Sequence, residues 1–249
     1  MVKTVIVPSQ PALLLQGESQ NLIISDLHIG FESKFASNEI FIGKNTTTDE
    51  TINQIESIID SVKADSLILL GDVKSSIKSI SKTEWNDVPK FFKKMKDKID
   101  TVLIPGNHDA NIQKLVPDGI SLVSSAGMVI ENILLTHGHT MPSENFSHVD
   151  KIIMGHVHPV FFQKDSVLNG QRIWVSIKTE KQQIFPSASG ELEIIIMPSF
   201  NKYFYATEKK HYKKSISPIL ERIKKYSSAK IVTLDGTIIG DESIINQII

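Results

Sequence analysis

The sequence predicts an α/β protein in which a parallel half-sheet packs against a second sheet. Three observations carry that expectation. Short β-branched runs recur along the chain, amphipathic stretches separate the early ones, and the later ones follow one another at hairpin spacing.

The runs are Val2 to Val7, Asn21 to Ser25, Ser66 to Leu70, Thr101 to Ile104, Met128 to Thr136 and Lys151 to Met154. After the second run, Thr47-Thr48-Asp49-Glu50 has the form of a capping box, and Ile52, Ile55, Ile58, Ile59 and Val62 then keep a helical period. From Thr83 to Lys98, Trp85, Val88, Phe91, Phe92 and Met95 share one face while Lys93, Lys94, Lys96 and Lys98 lie opposite. Strand, helix, strand, helix, strand in that order predicts parallel pairing. Near the far end, Lys230 to Gly240 reads as two strands around Asp235-Gly236.

A chain of 249 residues with 41% apolar residues can bury a sizeable core. The length fits one catalytic domain over residues 1–249, with a motif-bearing core at 20–160 and C-terminal strands and a basic helix at 170–249 packed on it. Net charge is −1, from 27 Lys+Arg against 28 Asp+Glu, which argues against a nucleic-acid grip by overall charge. A local patch stays open between Lys202 and Lys225, where Tyr203, Phe204, Tyr205 and Tyr212 interleave with eight basic residues. A solvated loop and helix is the plainer reading of that charge run. With no cysteine, thiolate sites and disulfides are excluded, and eight histidines with the carboxylates must supply any metal ligands. The opening MVKTVIVPSQPALLL lacks a cleavage-site signal and no apolar run reaches the roughly 20 residues of a membrane span, so a cytoplasmic location and no membrane partner are expected.

The polar motifs begin where apolar runs stop. Asp26-x-His28, Gly71-Asp72, Gly106-Asn107-His108-Asp109 and Gly155-His156-x-His158 each follow a strand, and His137-Gly-His139 follows Thr136. Open α/β sheets gather ligands at strand C-termini, so these residues can converge on one crevice. Two divalent cations about 3.5–4 Å apart can clamp a phosphate, activate a bridging hydroxide and neutralise charge developing in an in-line displacement. Such a pair needs a shared carboxylate, assigned to Asp72. Asp26, His28 and His158 then complete the first site, and Asn107, His137 and His156 the second. His108 is left to protonate the leaving oxygen or hold phosphoryl oxygens, with Asp109 fixing its orientation. Lys74 reads either as a rim contact to a substrate phosphate or as a solvated lysine. His139 reads as a substrate contact or a hydrogen-bonded loop histidine, and Glu32 with the segment from Phe31 to Lys44 as a loop over the site or a plain surface loop. His148 and His211 lack motif context and read as ordinary surface or helix residues.

Taken in order, the five motifs resemble those of the calcineurin-like metallophosphoesterase superfamily over roughly residues 20 to 160. DLHIG at 26–30, GDVK at 71–74, GHVHP at 155–159 and MPSFN at 197–201 are similar to the SbcD-related phosphoesterases of archaea and bacteria. That resemblance implies a four-layer α-β-β-α sandwich with two mixed β-sheets flanked by helices. It also implies a phosphodiesterase activity, with nucleic acid as one substrate and a ligase or helicase as one kind of partner. The residue after the GDVK lysine is commonly His in that group and is Ser75 here, which weakens any substrate inference from that loop. Mn is the first metal expected, with Fe, Zn, Co and Ni also admitted by mixed N/O ligands. Two rival functions are a small-molecule phosphodiesterase or phosphatase, and a non-catalytic scaffold that keeps the fold. Retention of Asp72, Asn107, His108, His156 and His158 argues against the scaffold.

Overall fold

Alternation along each strand decides which layer its residues join. Leu22 and Ile24 of one central strand face the helices with Leu67 and Leu69 of the next, while Ile23, Ile68 and Leu70 face the opposite way. In the computed structural model, which describes residues 2–32, 46–163, 165–203, 217–241 and 243, the strands form two mixed sheets.

The first sheet runs in the order β1 (Lys3–Ile6), β2 (Leu13–Gln16), β3 (Gln20–Ile24), β4 (Ser66–Leu69), β5 (Asp100–Leu103), β6 (Ser121–Leu122). From β3 to β6 every pairing is parallel, as the strand-helix alternation predicts, whereas β1, β2 and β3 pair antiparallel. The second sheet comprises β7 (Met128–Ile130), β8 (Ile133–Thr136), β9 (Lys151–Met154), β10 (Val160–Phe161), β11 (Gln171–Glu180), β12 (Glu191–Ile196), β13 (Tyr226–Thr233) and β14 (Ile238–Asp241). Its main order is β14-β13-β11-β12-β9-β8-β7, with β10 beside β11. Between β13 and β14 lies the expected turn at Asp235-Gly236.

Three apolar clusters bind four layers. Helices α1 (Thr46–Val62) and α2 (Lys82–Lys98) bury Ile52, Ile55, Ile59, Val88, Phe91, Phe92 and Met95 on the outer face of the first sheet. Between the sheets, Leu13, Ile23, Ile68 and Ile104 meet Leu135, Ile153 and Trp174. The outer face of the second sheet carries Leu134, Ile152, Met154 and Ile194 against Ile184, Phe185, Ile219 and Leu220. Among the described residues that last cover is made of 3₁₀ turns and the five-residue α3 (Pro218–Arg222).

Some expectations change. Because α1 already includes Thr46, Thr47 lies inside the helix and makes no capping box; its carbonyl accepts the Thr51 hydroxyl. The capping box belongs to α2, where the Ser81 side chain accepts the Glu84 amide and Glu84 accepts the Ser81 amide. Trp85 is 50% exposed rather than part of the buried face, since the inward position in the first turn of α2 is taken by its neighbour Glu84, whose carboxylate accepts the Ser76 and Ser81 amides. The single run from Met128 to Thr136 is a hairpin broken at Glu131, whose φ of 51° turns the chain. Most of the segment from Phe31 to Lys44, His211 and the central part of the basic aromatic stretch lie outside the described residues.

Candidate metal centre

The ends of β3, β4, β5, β8 and β9 all open on one side, so the polar residues that follow them meet. Asp26, His28, Asp72, His156 and His158 each take a positive φ, between 46° and 70°. A non-glycine residue in that left-handed region costs of order 1–3 kcal/mol and persists only where its surroundings hold it. Cross-strand bonds do so here: Asp26 N donates to Gly71 O, His28 N to Asp72 O and Gly155 N to His137 O. Close approach requires glycine at two points. A Cβ on Gly106 would lie 2.2 Å from Asp72 Oδ1, and one on Gly155 would lie 1.8 Å from Ser25 Oγ.

Ligand atoms converge in two groups that share one carboxylate. Asp26, His28, Asp72 and His158 bring one donor each within 4.8 Å of one another, and Asp72, His137 and His156 do the same. Asn107 joins the second group, its Oδ1 standing 3.2 Å from His137 Nε2. Asp72 divides its oxygens: Oδ1 accepts the His108 amide at 2.8 Å, while Oδ2 is 3.3 Å from His137 Nε2 and 3.8 Å from His28 Nε2. One oxygen is thus turned toward both groups. His137 Nδ1 donates to Leu70 O at 2.6 Å, which leaves Nε2 as the atom offered to a cation. His28 and His158 place their Nε2 atoms 3.3 Å apart, pointed at a common position, and His158 Nε2 lies 3.0 Å from Asp26 Oδ1. All-nitrogen-and-oxygen donors at this spacing fit borderline divalent cations.

Electrostatics follow from packing charges without solvent. Burial would raise the Asp26 carboxyl, but His158 and His137 outweigh it and bring its pKa down to about 2. Burial is likewise overcome at Asp72, held well below the usual carboxylate range by His137 and His28. Burial lowers and Asp72 raises His137, and the carboxylate wins, lifting it to about 9. His156 falls to about 4 through burial and the neighbouring His137 charge, and burial with His158 drives His28 well below the ordinary imidazole value.

The remaining sequence-predicted residues are placed with two corrections. His108 stands beside the centre, Nε2 3.9 Å from Asp72 Oδ2, but its ring is held by the Ser75 carbonyl, 2.5 Å from Nδ1. The expected orienting partner, Asp109, engages backbone amides instead: Oδ1 accepts Val73 N and Lys74 N, and Oδ2 accepts Gly106 N. It ties the turns after β4 and β5 together, and burial with the nearby Asp72 charge lifts its pKa to about 7. Lys74 is neither solvated nor at the rim. Its side chain is fully buried and Nζ donates to the carbonyls of Ser76 and Ser79, because the chain folds back over it after Ser75. His139 packs near the rings of His137 and His156, centroids 5.3 and 6.1 Å away, and its buried Nδ1 has no hydrogen-bond partner among the described residues. Glu32 is half-buried, burial and Asp87 raise its pKa, and its Oε2 has no hydrogen-bond partner among the described residues. His148 is on the surface, as expected.

Residues that sequence patterning passes over brace the first group. Ser199 Oγ donates to Asp26 O at 2.9 Å and Asn201 Nδ2 to Leu27 O at 2.9 Å. Arg172 Nη1 holds the carbonyls of Ser199 and Phe200, both at 2.8 Å. The MPSFN run contains two of these residues, but nothing in its spacing points at Asp26.

A sandwich of two mixed sheets with a shared-carboxylate His/Asp cluster at its strand ends defines a metallophosphoesterase class of protein. Residues 22–169 match the calcineurin-like phosphoesterase family model. The chain belongs to that family, whose members are hydrolases of ester bonds. A nuclease of Pseudomonas putida, MPE, is similar in structure at 18% identity and a TM-score of 0.57, covering 94% of this chain and 98% of its own. Yfce, a phosphoesterase from E. coli, is similar at 17% identity and a TM-score of 0.41, covering 90% of this chain and 98% of its own. No curated protein matches. No helix among the described residues is long and apolar enough to cross a membrane.

Proposed function

We propose that this protein is a two-metal phosphodiesterase of nuclease type. The observation that carries the reading is Asp72 Oδ2, which faces His137 on one side and His28 on the other. Asp26, His28, Asp72 and His158 would hold one divalent cation, and Asp72, Asn107, His137 and His156 the other. Bound there, the cations supply positive charge against phosphoryl oxygens and a lowered pKa for a coordinated water. His108 donates Nδ1–H to the Ser75 carbonyl and presents Nε2 to the cavity; in the doubly protonated imidazolium it gives the Nε2 proton to the leaving oxygen as the P–O bond breaks and is left as the neutral Nδ1–H imidazole. Water supplies the new P–O bond, so a diester yields a monoester and an alcohol.

Likeness of fold to the P. putida nuclease supports nucleic acid as the first substrate class to try. A net charge of −1 fits a protein that takes DNA with the help of a partner such as a ligase or helicase. Mn²⁺ is the first metal to supply. Incubation of the protein and Asp72→Asn with Mn²⁺ and end-labelled single-stranded, duplex and circular DNA, with bis(p-nitrophenyl) phosphate alongside, tests the reading. Cleavage of DNA and diester by wild type alone is expected. Diester cleavage without DNA cleavage would remove the nuclease assignment, and activity in neither would remove the phosphodiesterase.

A further inference from the structure

The turn after β4 is more heavily built than ligand placement requires. Once Asp72 has been delivered, the chain from Lys74 to Ser81 folds over a buried ammonium and beneath a buried carboxylate. Lys74 is fully buried and donates to two carbonyls of the same loop, Ser76 and Ser79, the latter at 3.1 Å. Glu84, also fully buried, reaches out of the first turn of α2 with both oxygens: Oε1 accepts Ser76 N and Oε2 accepts Ser81 N, each at 2.6 Å. Ser76 is therefore fixed at both its amide and its carbonyl. The residue immediately before it, Ser75, is held by its own amide on Ile29 O at 3.0 Å and presents its carbonyl to His108 Nδ1 at 2.5 Å.

Burying an ammonium and a carboxylate is costly unless their bonds are well made, and a loop with a simple connecting role would not need either. The geometry points to Lys74 and Glu84 as positioning residues for the proton donor: by locking Ser75 and Ser76 they aim His108 Nε2 at the leaving oxygen. This inference rests on the phosphodiesterase reading above. Neither residue touches substrate, and each acts through the Ser75 carbonyl.

Loosening the loop therefore hurts most when the leaving group needs a proton. Thymidine 5′-phosphate esters of p-nitrophenol and of phenol present the same nucleotide with a good and a poor leaving group. With the Mn²⁺-loaded protein, Glu84→Ala should lose about 10–100-fold in kcat on the phenyl ester, part of the range a general acid supplies, and within about threefold on the p-nitrophenyl ester. Glu84→Gln, which keeps one accepting oxygen, should lie between. In a His108→Ala background Glu84→Ala should add nothing on the phenyl ester, because there is no donor left to aim. Lys74→Met gives the same selective loss without disturbing the α2 cap, so the test survives a Glu84 variant that fails to fold. Equal losses on both esters, or an undiminished further loss in the His108→Ala background, would overturn the positioning role while leaving the phosphodiesterase intact. Wild type inactive on both esters would instead sink the reading beneath it.

Discussion

Asp72 Oδ1 accepts the backbone amide of His108 at 2.8 Å, while Oδ2 faces His137 and His28, one imidazole from each ligand group. The same contact places His108 on the shared carboxylate without using its ring. Asp72→Asn replaces one oxygen by a donor that cannot ligate a cation through nitrogen. Turnover should be abolished and both metals bound more weakly. Metal content after gel filtration, with rates on a generic diester, checks this, and unchanged activity would refute the bridging role.

His108→Ala separates chemistry from ligation. Because the ring is held by Ser75 O and no ligand group includes it, both metals should remain while kcat falls by about 10²–10⁴-fold, the usual worth of a general acid. Loss of metal in parallel with rate would mean that the imidazole is a ligand.

These two residues also show how far the sequence reaches. Ligands were legible because each stands where an apolar run ends, and strand C-termini in an α/β sheet must share an edge. Asp109 was legible as a site residue but not in its role, since no spacing rule tells that its oxygens meet the amides of Val73, Lys74 and Gly106. Lys74 was misplaced for a related reason. A lysine in a turn is solvated unless the next few residues fold over it, and that fold depends on Glu84, ten residues on. β11 and β12 carry interior alternation that a hydrophobic count alone did not separate from the loops around them.

Metal affinity should depend on pH through His137. In the metal-free protein Asp72 lifts its pKa to about 9 against the effect of burial, so at neutral pH the ring carries a proton that a cation must displace. Apparent affinity should rise as pH increases toward about 9, with proton release on binding that titration calorimetry in buffers of different ionisation enthalpy would measure. For the metal-free fold the sign is the reverse. A raised histidine adds stability that is full below 6.5, the ordinary imidazole value, and disappears as pH rises through about 9, whereas Asp26, lowered to about 2, adds stability present above 3.8 that is lost as pH falls through about 2. Thermal midpoints of the apo protein across that range check both limbs; a midpoint that climbs between pH 7 and 9 would contradict the His137–Asp72 pairing.

Gly155→Ala probes the close approach between β9 and β3. Its Cβ would fall 1.8 Å from Ser25 Oγ and 2.5 Å from Asp26 Oδ2, so Ser25 must give up its bond to Leu70 O or Asp26 must move. Overpacking of this kind costs about 1–3 kcal/mol. Both a lower denaturant midpoint and weaker metal binding are expected, and a variant with wild-type metal affinity would show that the contact can relax without disturbing Asp26.

Ser199→Ala tests whether the two ligand groups can be loosened separately. Ser199 Oγ donates to the carbonyl of Asp26, whose backbone is held at a φ of 60°, and that carbonyl keeps a second bond from Asn201 N at 3.2 Å. Since one partner remains, the stability cost should stay near 1 kcal/mol, the low end for a disturbed buried acceptor. The group that pays no direct penalty is Asp72, His137 and His156, which Ser199 does not touch. Removal of an outer hydrogen bond to a ligand typically weakens metal binding by about 10–100-fold, so chelator titration should strip one cation early and the other at the wild-type concentration. Simultaneous loss of both cations would mean that the groups are coupled through Asp72 more tightly than Ser199 is coupled to Asp26.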